Sequence, residues 1–148
     1  MARRVFFSFH YERDVSRAMV VRNSWVTQDR EDAGFFDAGL WEEAKKKGKA
    51  AIEKMIDDAL LNTTVTAVLL GQETGSRDYV QYEIDQSIAR GNGLLGVWIH
   101  KIKNLAGETD EAGTNPLPSK YKVYAWNNDK GYENFGTWVE EAAKAAGK

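Results

Sequence analysis

Short apolar runs alternate along the chain with longer stretches whose apolar residues return every three or four positions. Val5-Phe6-Phe7-Ser8-Phe9 combines aromatic and β-branched residues and predicts a first strand. From Asp14, a predicted N-cap, Val15, Ala18, Met19, Arg22 and Trp25 share one helical face. A short strand or extended segment is expected around Phe35 and Phe36. From about Glu43 to Leu61, Ile52, Met55, Ile56, Ala59 and Leu60 make an apolar stripe, with Lys45, Lys49, Glu53 and Asp57 off it. Val65 to Leu70 is nearly all apolar, as in a strand covered on both faces. Ser76 is the predicted cap of a helix over 77–90, which Gly91-Asn92-Gly93 ends. Leu94 to Ile99 predicts another buried strand, and a loop over 103–119 carries both prolines. Tyr121 to Trp126 predicts the last strand. A helix over 132–146 places Phe135, Trp138, Val139 and Ala142 on one face.

Strands and helices alternating at this spacing imply βαβ units with right-handed crossovers. The expected fold is α/β and flavodoxin-like: a five-stranded, mostly parallel sheet with helices on both faces. Ligands of such sheets lie beyond the carboxyl ends of the strands, where strand order switches. The segments after Phe9, Phe36, Leu70 and Ile99 are therefore the places to look for chemistry.

Composition narrows the function classes. The 148 residues predict a single domain over 1–148. There is no cysteine, which excludes disulfides, thiolate metal sites and a cysteine nucleophile. With 20 basic and 22 acidic residues the net charge is -2, which argues against a dedicated nucleic-acid binder. No apolar run is long enough to span a membrane or to serve as a signal peptide, so a cytoplasmic protein without a membrane partner is expected.

Several motifs fail on context. Gly91-Asn92-Gly93-Leu94-Leu95-Gly96 spells a dinucleotide fingerprint, but it follows a helix and opens a strand, the reverse of what that motif needs. His10 and His100 have no second ligand at helical spacing, so no metal site is expected. The third strand ends Leu69-Leu70-Gly71-Gln72, without the acceptor aspartate of a phospho-receiver domain. Phe9-His10-Tyr11 lacks the hydroxyl-rich loop of a flavodoxin.

The informative residue is Glu83. It falls inside the apolar stripe Tyr79, Val80, Ile84, Ser87, Ile88, and it lies beyond the first helical turn. A carboxylate there is desolvated, which raises its pKa, or else it faces a crevice. The plain alternative is a pair with Arg77 or Arg90 at the edge of the stripe. After the first strand, Phe9-His10-Tyr11 offers aromatics suited to stacking on a flat ring, or simply to packing under a loop. Phe36-Asp37 to Leu40-Trp41 places an acid between aromatics near another strand end, where a turn aspartate is the plain alternative.

Taken in order, these runs resemble the TIR domain family. Phe6 to Tyr11, followed by Asp14, resembles the opening strand and loop of TIR domains, and Ser76 to Ile84 resembles the helix that carries their glutamate. Val20 to Thr27, Phe36 to Glu42 and Tyr82-Glu83-Ile84 place the likeness nearest the TIR-like branch of the bacterial Thoeris anti-phage system. The resemblance implies cleavage of NAD+ between nicotinamide and ribose, with Glu83 as the catalytic residue and no cofactor beyond NAD+ as substrate. It implies a pocket of Ser8, Phe9, His10, Tyr11, Asp37, Trp41, Arg77 and Tyr79. It further implies a cyclic ADP-ribose isomer or related signal, a downstream effector, a phage-derived trigger and self-association. A non-catalytic TIR interaction module and a plain NAD+ glycohydrolase are the alternatives. Two departures stand out: Tyr79 occupies the usual tryptophan position, and the 103–119 loop is shorter than in Thoeris TIR proteins.

Overall fold

The computed structural model describes residues 3–26, 32–34 and 38–148. Its strands are β1 (Val5–Ser8), β2 (Asp32–Gly34), β3 (Val65–Leu70), β4 (Gly93–Trp98) and β5 (Val123–Ala125). They form one sheet in the order β2-β1-β3-β4-β5, and every pairing is parallel. The helices are α1 (Val15–Val26), α2 (Ala38–Lys47), α3 (Lys49–Leu60), α4 (Asp78–Ala89) and α5 (Gly131–Ala145), with a 3₁₀ turn at Thr74–Ser76. This is the expected flavodoxin-like architecture. Among the described residues, no helix is long and apolar enough to cross a membrane.

The period-2 alternation of the central strands decides what each face meets. On β3, Val68 and Leu70 join Val80 and Ile84 of α4, while Val65, Ala67 and Leu69 belong with Phe135 and Val139 of α5. The β1 register pairs Ser8 with Val68 and Phe6 with Thr66, so Ser8 shares the α4 side. Phe7 points the other way and stacks on Phe135 of α5, with ring centroids 6.1 Å apart. A polar residue at the end of β1 is thereby aimed beneath α4.

Four local expectations are corrected. The helix expected from Glu43 to Leu61 is two helices, broken at Gly48, whose φ of 102° lies in the left-handed region. The helix after β3 starts at Asp78 with Arg77 as its N-cap residue; the Ser76 hydroxyl instead donates to the Glu73 carbonyl at 2.9 Å. On α1 the inward face is Arg17, Ala18, Val21 and Trp25, while Met19 is 41% exposed. Asp14 keeps the N-cap place, its carbonyl accepting from Ala18 N at 2.8 Å, but its side chain turns to Arg17. The strand expected near Phe35 and Phe36 is β2, at Asp32–Gly34; the two phenylalanines lie outside the described residues.

Gly93 of the false fingerprint has a packing role. At Gly93 an added methyl carbon would fall 2.6 Å from the carbonyl carbon of Ala142 and closer still to its oxygen, so α5 lies directly on the start of β4. Gly93→Ala should therefore push backbone against backbone and cost about 1–3 kcal/mol in urea unfolding. An unchanged unfolding midpoint would contradict this close approach.

Candidate active site

Glu83 is 0% exposed, in the buried row Val80, Glu83, Ile84, Ser87 that α4 turns toward the sheet. Both of its carboxylate oxygens are occupied. Ser8 Oγ donates to Oε1 at 2.6 Å, and the Tyr11 hydroxyl donates to Oε2. The pairing with a basic residue is not found. Arg90 donates to the Leu61 carbonyl at 2.9 Å and to Asn92 Oδ1 at 3.3 Å, and Arg77 makes no bond to Glu83. Beneath the helix, Ser87 Oγ donates to the Glu83 carbonyl at 2.7 Å and lies 2.7 Å from Thr66 Oγ1, which fixes this turn of α4 to β3.

The electrostatics follow from that isolation. Burial raises the Glu83 pKa to about 8, even though the Ser8 and Tyr11 hydrogen bonds pull it down. Burial and the adjacent Glu83 charge push the Tyr11 phenol well up, so it keeps its proton and remains a donor. His10 goes the other way: burial first, then the Arg77 charge, lower its pKa. Its Nδ1 accepts from the backbone N–H groups of Glu12 at 3.3 Å and Arg13 at 3.1 Å. Nδ1 is therefore unprotonated, and the ring proton sits on Nε2.

Aromatic rings close over the carboxylate. Tyr11 lies between Phe9 and Trp41, with centroids 4.6 and 4.8 Å away, and Trp41 meets Tyr79 edge-on at 5.0 Å. Trp41 comes from α2 and is tied down through Glu12, whose Oε1 accepts from Trp41 Nε1 at 3.3 Å and Lys45 Nζ at 3.1 Å. The crevice among His10, Tyr11, Trp41, Arg77 and Tyr79 has a volume of about 10 Å³, room for at most one water. Larger cavities lie elsewhere; one of about 370 Å³ borders the N-terminal start of β4, away from the strand ends where ligands of this fold bind.

The structure thus brings Ser8, Phe9, His10, Tyr11, Trp41, Arg77 and Tyr79 together around Glu83. Asp37 lies outside the described residues. Two contributors were missed from sequence. Glu12 ties Trp41 and Lys45 to the β1–α1 loop. Arg17, 1% exposed, donates to Asp14 Oδ1 at 3.1 Å, Asp110 Oδ2 at 2.8 Å and the carbonyls of Ile102 and Glu108 at 2.6 and 3.0 Å. It holds the loop after β4 against the loop after β1. The three-residue spacing of Asp14 and Arg17 was the available signal.

Comparison with known proteins identifies the family. Residues 6–104 match the family model described as Thoeris protein ThsB, TIR-like domain. The chain belongs to the ThsB TIR-like family. The matched span includes every residue of the crevice. A relative from Bacillus cereus (strain MSX-D12), named "Putative cyclic ADP-D-ribose synthase ThsB1", is 36% identical over an aligned length of 191 residues, covering 94% of this chain and 100% of the relative. That aligned length exceeds the 148 residues of this chain, so the ThsB relative carries segments absent here.

A carboxyl whose pKa is raised on folding binds more protons in the folded state than in the unfolded state between the two values. Its contribution to stability is present below about 4.5 and lost as pH rises through about 8. Wild type should therefore lose stability relative to Glu83→Gln between pH 4.5 and 8, by on the order of 3–5 kcal/mol. Parallel urea curves for the two proteins across that range would contradict the buried, cation-free carboxyl.

Proposed function

We propose that this chain breaks the bond between nicotinamide and ribose in NAD+ and closes the remaining ADP-ribose into a cyclic isomer. The observation that carries this reading is Glu83: a fully buried carboxylate under an aromatic wall, held by hydroxyl donors and by no cation. A ribose diol offers the same kind of donors as Ser8 and Tyr11. Family membership and the name of the Bacillus relative support the same chemistry.

The bond between the ribose carbon and the nicotinamide nitrogen breaks, and its electron pair leaves with neutral nicotinamide. The ribose carbon becomes cationic, and a carboxylate in a low-dielectric site stabilises that charge. A nucleophile in the adenine or ribose of the same molecule then bonds to the carbon and loses its proton, closing the ring. Attack by water would give linear ADP-ribose instead. Phe9, Tyr11, Trp41 and Tyr79 favour closure because they exclude water. The 10 Å³ crevice is far too small for a nucleotide, so α2 with Trp41 moves before substrate enters. No cofactor beyond NAD+ is required. The cyclic product would activate a partner effector in anti-phage defence, with a phage-derived trigger and self-association as further parts of the proposal.

NAD+ incubated with the purified protein, and lysates of phage-infected cells expressing it, should yield nicotinamide and a cyclic ADP-ribose isomer in mass-resolved chromatography. Glu83→Gln should reduce product roughly 10²-fold or more. Linear ADP-ribose as the sole product would replace cyclisation with hydrolysis, and absence of any Glu83-dependent product would make the chain an interaction module. Because the free enzyme must ionise Glu83, kcat/KM for NAD+ should rise with pH and level off above about 8. A flat profile from pH 6 to 9 would remove Glu83 from the charge-stabilising role.

A further inference from the structure

Three carboxylates near the crevice have cations among the described residues. Glu12 is paired with Lys45 at 3.1 Å, Glu73 with Arg13 at 3.0 Å, and Asp14 with Arg17 at 3.1 Å. Arg77 is the cation left over. Its half-buried guanidinium makes no hydrogen bond or ion pair with the described residues, although it lines the crevice and its charge is felt by both His10 and Glu12.

Two further donors converge on the same place. His10 is only 8% exposed and also lines the crevice. With Nδ1 turned to the backbone of Glu12 and Arg13, the opposite edge of the ring carries an Nε2–H that has no partner among the described residues. The tautomer is locked, because a proton on Nδ1 would face two N–H donors. Arg77 is also the N-cap residue of α4, a helix of 12 residues whose N-terminus has no side-chain cap. Its first-turn N–H groups therefore add positive potential where Arg77 and His10 meet. Asp78, the one acid of that turn, is exposed to solvent.

We propose that Arg77, His10 Nε2–H and the open N-terminus of α4 form one anion subsite that takes the pyrophosphate of the dinucleotide. This deepens the NAD+ reading and rests on it. Glu83 lies six residues beyond Arg77, roughly 9 Å at 1.5 Å per residue. One rigid element thus presents a carboxylate to sugar hydroxyls at depth and a cationic cradle to phosphate at the mouth. A planar guanidinium and a fixed imidazole N–H both suit phosphate oxygens, and neither has anything to gain from a cationic nucleoside that lacks phosphate.

The test compares NAD+ with nicotinamide riboside, which keeps the scissile bond and lacks phosphate. Arg77→Gln should raise KM for NAD+ about tenfold or more while kcat changes less than threefold. The ratio of kcat/KM for NAD+ over that for nicotinamide riboside should fall about tenfold. His10→Asn keeps an acceptor for the two backbone N–H groups and removes the Nε2–H; it should move the ratio the same way by a smaller factor, and Arg77→Lys should recover part of the loss. Equal effects on both substrates, or none, would overturn the proposal. A second measurement does not need turnover: inorganic pyrophosphate titrated into Glu83→Gln should bind at least fivefold more tightly than into Glu83→Gln/Arg77→Gln. Equal or absent binding overturns the subsite. Arg77-dependent binding without any NAD+ turnover keeps the subsite and removes the NAD+ reading.

Discussion

A carboxylate buried without a cation is the constraint around which this molecule is arranged. Removing an ion from water costs several kcal/mol, and that cost is met only where hydrogen bonds and geometry answer it. Here two hydroxyls, one from the last residue of β1 and one from the loop that follows, offset only part of it, and the pKa stays at about 8. The β1 register, the polar anchor of α4 on Thr66 through Ser87 and the aromatic layer over Tyr11 all serve to keep Glu83 at that point. An apolar residue would fill the same stripe more cheaply. Retaining the acid therefore favours a chemical role over a packing one.

Charge around the site is sorted by depth. At the mouth, carboxylates and cations neutralise one another in pairs, and the most buried of these, Asp14 with Arg17, ties the loops after β1 and β4 together. Among the described residues, Glu83 below them has no cation and Arg77 above them has no anion. A substrate with hydroxyls at one end and phosphates next to them matches this separation in both sign and order. α2 rests on α3 across the Gly48 break and meets the site through Trp41 and Lys45.

Much of this was legible in the sequence because it rests on local periodicity. Two continuous apolar runs marked β3 and β4, and strand–helix alternation led to the observed parallel sheet. Glu83 was found because a charged residue interrupted an otherwise apolar stripe. What stayed hidden depends on long-range contact or on a single dihedral. Tyr11 lies 72 residues from Glu83, and no local pattern shows its hydroxyl reaching the carboxylate. Arg17 is surrounded by apolar neighbours and reads as a solvent-facing cation until the loop after β4 folds over it. The positive φ of Gly48 ends α2 just ahead of an apolar stripe that lies wholly within α3, so the stripe itself carries no sign of the break. Met19 and Val21 exchanged roles for a related reason: both fit an apolar helix face, and packing on α5 selects which side turns inward.

The most direct test of this account is a crystal structure of the Glu83→Gln protein with NAD+ bound. The account predicts the hydroxyls of the nicotinamide ribose within hydrogen-bonding distance of residue 83, in the place now taken by the Tyr11 hydroxyl, with Trp41 displaced from its present seat. A dinucleotide bound elsewhere, with Tyr11 still on residue 83 and the crevice closed, would contradict it.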